Sequence, residues 1–511
     1  MTLASALALL PLAPVAQAEP NAKPVTIPAL REWSGGRGGF TLGGSSRIVV
    51  APSQRSVHDD ARLFAADLAT LTGRQLPVAI GGAEPGDVEL RLGSPDTGLG
   101  REGYRLSIAD TVVVSARTDT GAFYGTRTLL QLFRQSATLP TGTARDWPRY
   151  PERGLMVDVA RRIVSMDWLA SHIRELAYLK LNYLHLHLSD DQGFRLESER
   201  HPEITSEQHY TKTQIRQLVA LAARHHITVV PEIDMPGHMA AALEPYPEYQ
   251  LRNVAGSSGL RPKLDITKPA ARDFATSLVT EFAPLFPGPY FHIGADEFMY
   301  ADSYAFYPQI ERYAKRRYGP DATPSDAVVG FVNEADAVVR SLGKTTRSWN
   351  DGIDSDGVVT ANPAITVDWW ADSALSPREL LARGHDVMNA GYYPTYYVVG
   401  PHEQTNNLRN NTEESAYESW EVHRFVPEDT GTTYLVHPGE PRNLGSKVHL
   451  WGDWNAALPY ETEEQSAAGI AGRLRIIAQH TWRSDRLTDT WAAFQPMINA
   501  VGHAPGYTAA D

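Results

Sequence analysis

The sequence has no cysteine among its 511 residues. A disulfide, a thiolate metal site and a cysteine nucleophile are therefore all excluded. The length is too great for one small domain and suits two or three. Hydrophobic residues make up 42% and charged residues 21%, which is ordinary for a globular protein with packed cores.

The chain also lacks an excess of positive charge and lacks long apolar runs. With 47 basic and 60 acidic residues the net charge is −13, which argues against nucleic acid and anionic membranes as partners. The longest apolar run, residues 4–18, is too short to span a membrane. It ends in Ala16-Gln17-Ala18, a small-x-small cleavage pattern, although no Lys or Arg precedes it. We predict a signal peptide over residues 1–18 and a secreted, soluble protein.

Composition divides the remainder into two domains. Residues 19–39 are polar and rich in proline, and they predict a linker. In residues 40–145 short β-rich runs alternate with helical patterns at 57–71 and 120–132, which predicts a small α+β domain. This domain has no dense cluster of catalytic residue types, so we expect it to have a structural or positioning role. Three prolines in residues 139–152 mark the boundary to a second domain over residues 150–511.

The second domain reads as alternating strands and helices. Helical patterns at 166–179, 214–225 and 270–282 separate the first four strands, and Ser165 is a predicted N-cap. The eight predicted strands are residues 154–160, 183–189, 227–233, 290–294, 345–349, 365–369, 387–390 and 448–451. Eight strands with intervening helices predict a (β/α)8 barrel, that is, an α/β TIM barrel preceded by a small α+β domain.

Acids, arginine and aromatic residues follow these strands, where a barrel places its active site. The residues at these strand ends are Asp158, Arg161, Asp190, Asp191, Gln192, Glu232, Asp234, His238, His292, Asp296, Glu297, Trp349, Asp351, Trp369, Trp370, the run Tyr393–Tyr397, Trp451 and Asp453. A single strand-end aspartate is more often a helix cap than a catalyst. The whole set describes a pocket for a neutral, polyhydroxylated ligand, because carboxylates and arginine bind hydroxyls by charge-assisted hydrogen bonds.

The segment YFHIGADE, residues 290–297, carries the sharpest signal. An apolar strand breaks at Gly294 and ends in two adjacent carboxylates, Asp296 and Glu297. Two such groups are costly to ionise together in a partly dry cleft, so we expect one pKa to rise. A carboxyl with a raised pKa can act as a general acid near neutral pH. The alternative is a helix N-terminus at which acids are merely favourable.

Several motifs occur in the order found in glycoside hydrolase family 20. They are RGLMVDVAR (153–161), LHLHLSDDQGF (184–194), PEIDMPGH (231–238), HIGADE (292–297) and WGD (451–453). From about residue 40 to 455 the chain therefore resembles this family of β-N-acetylhexosaminidases and their relatives. The segment GAFYGTRTLLQLF (121–133) resembles the end of the non-catalytic domain that precedes the barrel in that family.

The resemblance implies a retaining, substrate-assisted mechanism, in which the 2-acetamido oxygen of the sugar attacks its own anomeric carbon and forms an oxazolinium ion. It implies Glu297 as general acid and then base, Asp296 as the group that orients the acetamide, and Tyr397 as its hydroxyl donor. The implied substrate contacts are Arg161, Asp190, Gln192, His238, Trp349, Trp370, Trp451 and Asp453. Asp190 and His238 would form a relay that tunes Glu297. The expected partner is an oligosaccharide or glycoconjugate, and neither a metal nor another cofactor is expected.

Two positions depart from the family pattern. The family commonly has Tyr-x-Asp on strand seven, where matching Tyr397 puts Val399 in place of the acid. It commonly has Trp-x-Glu on strand eight, where this chain has the shorter Asp453. Both positions normally hold outer hydroxyls of the terminal sugar. The commoner activity, release of single β-linked N-acetylhexosamine (GlcNAc or GalNAc) residues, is our first prediction. The alternative is a lacto-N-biosidase, which releases the disaccharide Gal-β1,3-GlcNAc.

Two readings from other classes remain. His185 and His187 point to one face of a strand and, with His238 and His292, could ligate the metal of an amidohydrolase. Against this, the surrounding motifs match the glycosidase, and paired histidines are common in barrel cores. The other reading is a sugar-binding protein without activity. The intact pair Asp296-Glu297 argues against it, because binding alone needs no acid beside the glycosidic oxygen.

Overall fold

A computed structural model gives the fold of residues 19–354, 357–372, 375–399, 411–427, 432–453, 461–483 and 485–509. The predicted signal peptide lies outside these residues. Within them the chain forms a small domain built on a mixed sheet and a closed parallel barrel, so the predicted fold class is confirmed.

The small domain is a seven-stranded sheet with two helices. Its strands are β1 (Glu32–Thr41), β2 (Ile48–Val50), β3 (Val78–Ile80), β4 (Val88–Leu92), β5 (Tyr104–Ile108), β6 (Val112–Ala116) and β7 (Thr138–Asp146). Their spatial order is β1-β7-β5-β6-β4-β2-β3. Neighbours from β1 to β6 in that order are antiparallel, and those from β6 to β3 are parallel.

The two helices of the small domain match the predicted patterns. They are α1 (His58–Thr72) and α2 (Asp119–Gln135). Thr118 caps α2, its hydroxyl accepting from the N–H of Gly121 at 3.2 Å. Every residue from 121 to 133 is buried, because α2 lies between its own sheet and the helices of the barrel.

The predicted linker over residues 19–39 is wrong. Residues from Glu32 onward form β1, which pairs with β7 through a register shift between Gly35 and Gly39. Before the strand, the side chains of Ile27 and Leu30 are fully buried in the core. Proline content and polarity predicted a linker, but the buried apolar side chains and the strand pairing hold this segment in the fold.

The barrel is closed by parallel strands. Those of this domain are β8 (Glu152–Asp158), β9 (Tyr183–His187), β10 (Thr228–Glu232), β11 (Tyr290–His292), β12 (Thr345–Trp349), β13 (Thr366–Trp369), β14 (Val387–Asn389), β15 (Tyr396–Val398) and β16 (Asn443–Trp451). Strands β8 to β14 follow one another around the ring, and β16 closes it by pairing with both β14 and β8. All eight predicted strands are therefore present. They read as apolar runs because helices and core cover them on both sides.

Helices surround this ring. The helices described are α3 (Met166–Tyr178), α4 (Lys212–Arg224), α5 (Ala240–Leu243), α6 (Pro269–Phe282), α7 (Pro308–Tyr318), α8 (Pro324–Ser341), α9 (Pro377–Arg383), α10 (Tyr392–Thr395), α11 (Glu413–Ser419), α12 (Glu463–Trp482) and α13 (Trp491–Val501). The predicted cap is confirmed, since the Ser165 hydroxyl accepts from the N–H of Trp168 at 3.1 Å. No helix within the described residues combines the length and apolarity that crossing a bilayer would require.

Shorter elements lie at the rims. Helices of the 3-10 type are Arg55–Val57, Thr97–Leu99, Pro202–Ile204, Ala283–Leu285, Ala301–Phe306 and Asn350–Gly352. Two antiparallel hairpins pair Ser189–Asp190 with Gly193–Phe194 and Arg424–Phe425 with Tyr434–Leu435. The seventh barrel position is split, because α10 separates β14 from β15 and both segments pair with β16.

The small domain packs on the end of the barrel at which the strands begin. The carboxylate of Asp146, at the end of β7, accepts from the ammonium of Lys180, the hydroxyl of Tyr104 and the indole N–H of Trp482 at 2.7–3.0 Å. All four side chains are buried. The contact is therefore remote from the strand ends that carry the predicted chemistry, and it supports the predicted structural role.

Candidate active site

The turn after β11, residues 292–297, has a backbone that few residues adopt. Gly294, Ala295 and Glu297 have φ values of +66°, +76° and +47°. Gly294 is required, because a Cβ there would overlap the carboxylate of Asp234. That carboxylate accepts from the N–H of Ala295 at 3.0 Å, and the carbonyl of Gly294 accepts from the N–H of Trp349 at 2.9 Å. We name residues 292–297 the catalytic turn, since they present Asp296 and Glu297.

His238 joins Glu297 to Asp190. Its Nδ1 lies 3.1 Å from Asp190 Oδ1, and its Nε2 lies 3.3 Å from Glu297 Oε2. Burial lowers the pKa of His238, but the charges of Asp190 and Asp296 outweigh it and hold this pKa well above the usual value. The hydrogen bond from His238 lowers the pKa of Glu297 to about 2. His238 therefore bridges Asp190 and Glu297, as the predicted relay requires, and the relay's effect on catalysis stays a prediction.

The expected rise in pKa falls on Asp296 and not on Glu297. Burial raises the pKa of Asp296, and the nearby charges of Glu232 and Glu297 add to the rise. Burial and the charge of Asp296 also raise the pKa of Asp351 to about 7. The low pKa of Glu297 has a simple cause, which is that its partner is a cation and not a second carboxylate.

Four aromatic side chains form a cluster beside the catalytic turn. The rings of Trp349 and Trp451 lie 5.8 Å apart, and those of Tyr396 and Trp451 lie 5.6 Å apart. Trp370 stacks on Tyr396 at 6.5 Å with an interplanar angle of 13°. The indole N–H of Trp349 donates to Glu232 at 2.7 Å. The three predicted tryptophans are thus brought together, with Tyr396 as a fourth member.

The structure does not bring Tyr397 to this pocket. Its hydroxyl donates to Glu461 at 3.0 Å and lies against Gly469 of α12, outside the barrel. Because side chains alternate along a strand, the predicted assignment is one residue out of register. Tyr396 takes the pocket position instead.

The same shift moves the residue that stands where the family acid is expected. Val399 is buried in the main core, whereas Val398 packs against the aromatic cluster of the pocket. The pattern Tyr-x-Asp therefore becomes Tyr396-Tyr397-Val398 in this chain. The departure itself remains, since a valine again occupies the position of the acid.

Arg161 is held by three carboxylates. Its guanidinium contacts Asp158 and Asp190 at 2.8 Å each and Asp453 at 2.7 Å, and it lies 5.3 Å from the ring of Trp451. Burial lowers the pKa of Arg161, but the charges of these aspartates outweigh it and raise this pKa further above its usual value. The side chain of Asp453 is 49% exposed. Asp453 is therefore half exposed while its carboxylate contacts Arg161.

Gln192 is the remaining predicted contact. It is exposed at the turn of the hairpin that Asp190 begins. No hydrogen bond among the described residues ties its side chain to the rest of the site, so its role stays a prediction.

Of the four histidines considered as metal ligands, His185, His187 and His292 lie in the barrel interior around Glu232, whereas His238 lies at the catalytic turn. His185 lies 3.0 Å from Glu232 and 3.1 Å from the ammonium of Lys447, and His292 lies 3.2 Å from Glu232. These side chains are buried. Three ligand-type atoms of His185, Glu232 and His292 are close enough to hold a cation. The ammonium of Lys447 beside them disfavours a further positive charge, and the cluster is explained by its internal contacts.

Three contacts at the catalytic turn were not predicted. The hydroxyl of Tyr300 donates to Glu297 Oε1 at 2.9 Å, the ammonium of Lys263 donates to the Glu297 carbonyl, and the carboxylate of Asp351 accepts from the Glu297 N–H at 2.8 Å. A cavity of about 270 Å³ opens here, lined by Asp191, His238, Arg261, Lys263, Glu297 and Tyr300. Only Asp351 had a signal in the sequence, as one of the strand-end acids.

Comparison with known proteins agrees with this geometry. The profile described as "Glycosyl hydrolase family 20, catalytic domain" matches residues 150–484, and "Glycosyl hydrolase family 20, domain 2" matches residues 23–147. The second match also includes most of the segment predicted as a linker. Together the two matches account for both domains.

Relatives and solved structures point the same way. A lacto-N-biosidase of Bifidobacterium bifidum is 33% identical over 94% of this chain, which spans only 42% of that protein. A beta-N-acetylhexosaminidase of Cellulomonas fimi is 33% identical over 95% of this chain and 94% of its own length. The structure of the GH20 beta-N-acetylhexosaminidase from Streptomyces coelicolor is 28% identical, covers 96% of this chain and 97% of its own, and gives a TM-score of 0.75. The chain therefore belongs to glycosyl hydrolase family 20.

Proposed function

We propose that the protein is a secreted, retaining glycosidase that cleaves a β-linked N-acetylhexosamine by substrate-assisted catalysis. Glu297 and Asp296 stand side by side and both lie near His238, but Glu297 is the closer of the two, at 3.3 Å against 3.7 Å. Asp296 is partly buried, and its charge also acts on Asp234 and on the Tyr396 phenol. This division supports one carboxyl for proton transfer and the other for the acetamide group.

In the proposed first step the acetamide oxygen attacks the anomeric carbon. Asp296 accepts from the acetamide N–H and offsets the positive charge that develops on the ring. Trp349, Trp370 and Trp451 enclose the group, which holds the internal nucleophile close to the carbon it attacks. The Tyr396 hydroxyl donates to the acetamide oxygen. Burial and the charge of Asp296 raise the pKa of this phenol well above its usual value, so it stays protonated.

The leaving oxygen takes its proton from Glu297. In the free enzyme the pair of His238 and Glu297 holds a proton that rests on the histidine, as the direction of both pKa shifts indicates. We propose that the proton moves onto Glu297 as the glycosidic oxygen approaches and the carboxylate loses its contact with water. Glu297 then acts as the base that activates water to open the oxazolinium ion.

The unit released is proposed to be the disaccharide Gal-β1,3-GlcNAc. The single observation that carries this is the outer rim of the pocket, by which we mean Arg161, Val398 and Asp453. The side chain of Val398 has no hydrogen-bond acceptor, and the short carboxylate of Asp453 contacts Arg161 at 2.7 Å. A terminal GlcNAc would leave this side of the pocket unfilled, whereas a galactose linked at its O3 could use it and bind Asp453. The resemblance to the B. bifidum lacto-N-biosidase supports the same choice.

Release of a single N-acetylhexosamine is the second candidate. It is favoured by the exposure of Asp453, whose carboxylate is 49% exposed and could hold an outer hydroxyl of one sugar. It also agrees with the name of the C. fimi relative, which covers nearly the same length as this chain.

Two chromogenic substrates separate the candidates. We expect purified enzyme to cleave p-nitrophenyl β-lacto-N-bioside with a kcat/KM at least tenfold above that for p-nitrophenyl β-GlcNAc. Preferred cleavage of the monosaccharide glycoside would support the second candidate and contradict the first. Amino-terminal sequencing of protein recovered from the culture medium of a secreting host tests export, with cleavage after Ala18 as the expected result.

A further inference from the structure

Asp351 contacts both halves of the proposed catalytic apparatus with one carboxylate. Its Oδ2 accepts from the N–H of Glu297 at 2.8 Å, and its Oδ1 accepts from the indole N–H of Trp370 at 3.0 Å. Glu297 is the proposed acid, and Trp370 is a wall of the acetamide pocket. One side chain on the β12 end therefore joins the main chain of the proton donor to the ring beside the internal nucleophile.

The turn that carries Asp351 is itself fixed. Asn350 donates to the carbonyl of Ala371 at 2.7 Å and accepts from the N–H of Trp370 at 3.0 Å. Gly352 packs so closely on the backbone of Ala295 that a Cβ would overlap it. Asp351 therefore has little freedom to move away from the two groups that it contacts.

We propose that Asp351 is a positioning residue that sets the orientation of Glu297 and of Trp370 together, an inference that rests on the proposed function because it gives these two residues a joint role. Glu297 has φ = +47°, a conformation that is uncommon for a residue other than glycine. The hydrogen bond from its N–H to the Asp351 side chain stabilises this conformation.

The substitution Asp351→Asn tests the role. The asparagine amide has nearly the same shape as the aspartate carboxylate. Its oxygen can accept from one of the two N–H groups, but its NH2 group then faces the other N–H group and cannot accept from it. We expect kcat/KM to fall about 10- to 100-fold for a glycan or alkyl aglycone, because a displaced acid protonates poorly. For a dinitrophenyl aglycone, which needs little protonation, the loss should be no more than about threefold. An equal loss for both aglycones, or no loss, would overturn the proposal.

Asp336→Asn is the matched control. Asp336 lies on α8, is buried, and accepts from the hydroxyl of Thr346 at 2.8 Å beneath the same strand. It contacts neither Glu297 nor Trp370 among the described residues. We expect this control to lower Tm without making the loss of activity depend on the leaving group. A control that showed the same dependence as Asp351→Asn would overturn the proposal, because a general loosening of β12 would then be enough.

Two further measurements keep the test independent of folding and of the substrate. If Asp351→Asn does not fold, Trp370→Phe removes the indole N–H and keeps a ring, and a loss that grows with poorer leaving groups supports the link. A uniform loss overturns it.

A crystal structure of either variant is informative even if the assigned substrate is wrong. A shifted Glu297 main chain supports positioning, and an unchanged one contradicts it.

Discussion

The inner part of the pocket and its outer rim are built on different principles. At the catalytic turn, the backbone has positive φ at Ala295 and Glu297, His238 contacts Glu297, and the Glu297 N–H donates to Asp351. At the outer rim, the Val398 side chain packs on the aromatic cluster, and Asp453 contacts Arg161. The proposed chemistry thus rests on many mutually supporting contacts, whereas the proposed choice of substrate rests on two side chains.

The largest expected loss of activity follows a substitution in the inner part of the pocket. Glu297→Gln should lower kcat by about 10²- to 10⁴-fold for natural glycans, because the general acid is lost. The loss should shrink for nitrophenyl glycosides, which is checked by comparing kcat across leaving groups. An equal loss for all substrates would count against Glu297 as the acid.

Asp296→Asn should cause the second-largest loss of activity. The amide cannot offset the charge of the oxazolinium ion, so kcat should fall by about 10²- to 10³-fold, the range for a lost electrostatic contact. A thiazoline mimic of the intermediate should bind the wild type far more tightly than substrate does. Isothermal titration calorimetry should show that the variant loses most of this affinity. Efficient wild-type cleavage of a glucoside without the acetamide would contradict the mechanism.

The pair Tyr396 and Tyr397 tests the register directly. Tyr396→Phe should lower kcat by about tenfold or more, since a donor to the acetamide oxygen is lost. Tyr397→Phe should lower the free energy of unfolding by about 1 kcal/mol, because its hydroxyl donates to Glu461, and leave kcat nearly unchanged. Steady-state kinetics and denaturant unfolding of both variants check this. If Tyr397→Phe lowered kcat and Tyr396→Phe did not, Tyr397 would be the donor to the acetamide oxygen, as first predicted.

The side-chain register of Tyr396 and Tyr397 could not be predicted from the sequence alone. The strand ends, the catalytic pair and the eight-stranded barrel could be predicted from motifs and alternation. In residues 392–397 five of six side chains are large, aromatic or β-branched, so no alternation marks which side faces the pocket. The contacts of Lys263 and Tyr300 with Glu297 depend on tertiary proximity that no local pattern carries. The low pKa of Glu297 likewise depends on the position of His238.

A change at the outer rim should alter selectivity more than rate. Val398→Asp should hinder the disaccharide substrate, because it crowds the rim and adds a charge that needs a partner. It should also improve cleavage of a single terminal GlcNAc, by restoring a charge-assisted bond worth about 1.5–3 kcal/mol. The ratio of kcat/KM for the two chromogenic substrates measures both effects. Val399→Asp is the matched control, and it should destabilise the fold because Val399 is buried in the main core.

The smallest expected effect is on the pH profile. Asp296 must be ionised, and its pKa is raised, so activity should fall on acidification at a pH above the ordinary aspartate value. The proton shared by His238 and Glu297 must be present, and the pKa of His238 is raised, so the alkaline loss should occur above the ordinary histidine value. The profile of kcat/KM reports both limits for the free enzyme. An alkaline limb near pH 6 would contradict the ion pair.

The central claim is that the inner chemistry serves a substrate two sugars long. Its most direct test is mass spectrometry of the products formed from a tetrasaccharide that carries Gal-β1,3-GlcNAc on lactose. The account predicts intact Gal-β1,3-GlcNAc together with lactose, and no free galactose or GlcNAc. No cleavage of this tetrasaccharide, combined with release of single GlcNAc from the same glycan after its galactose is removed, would contradict it.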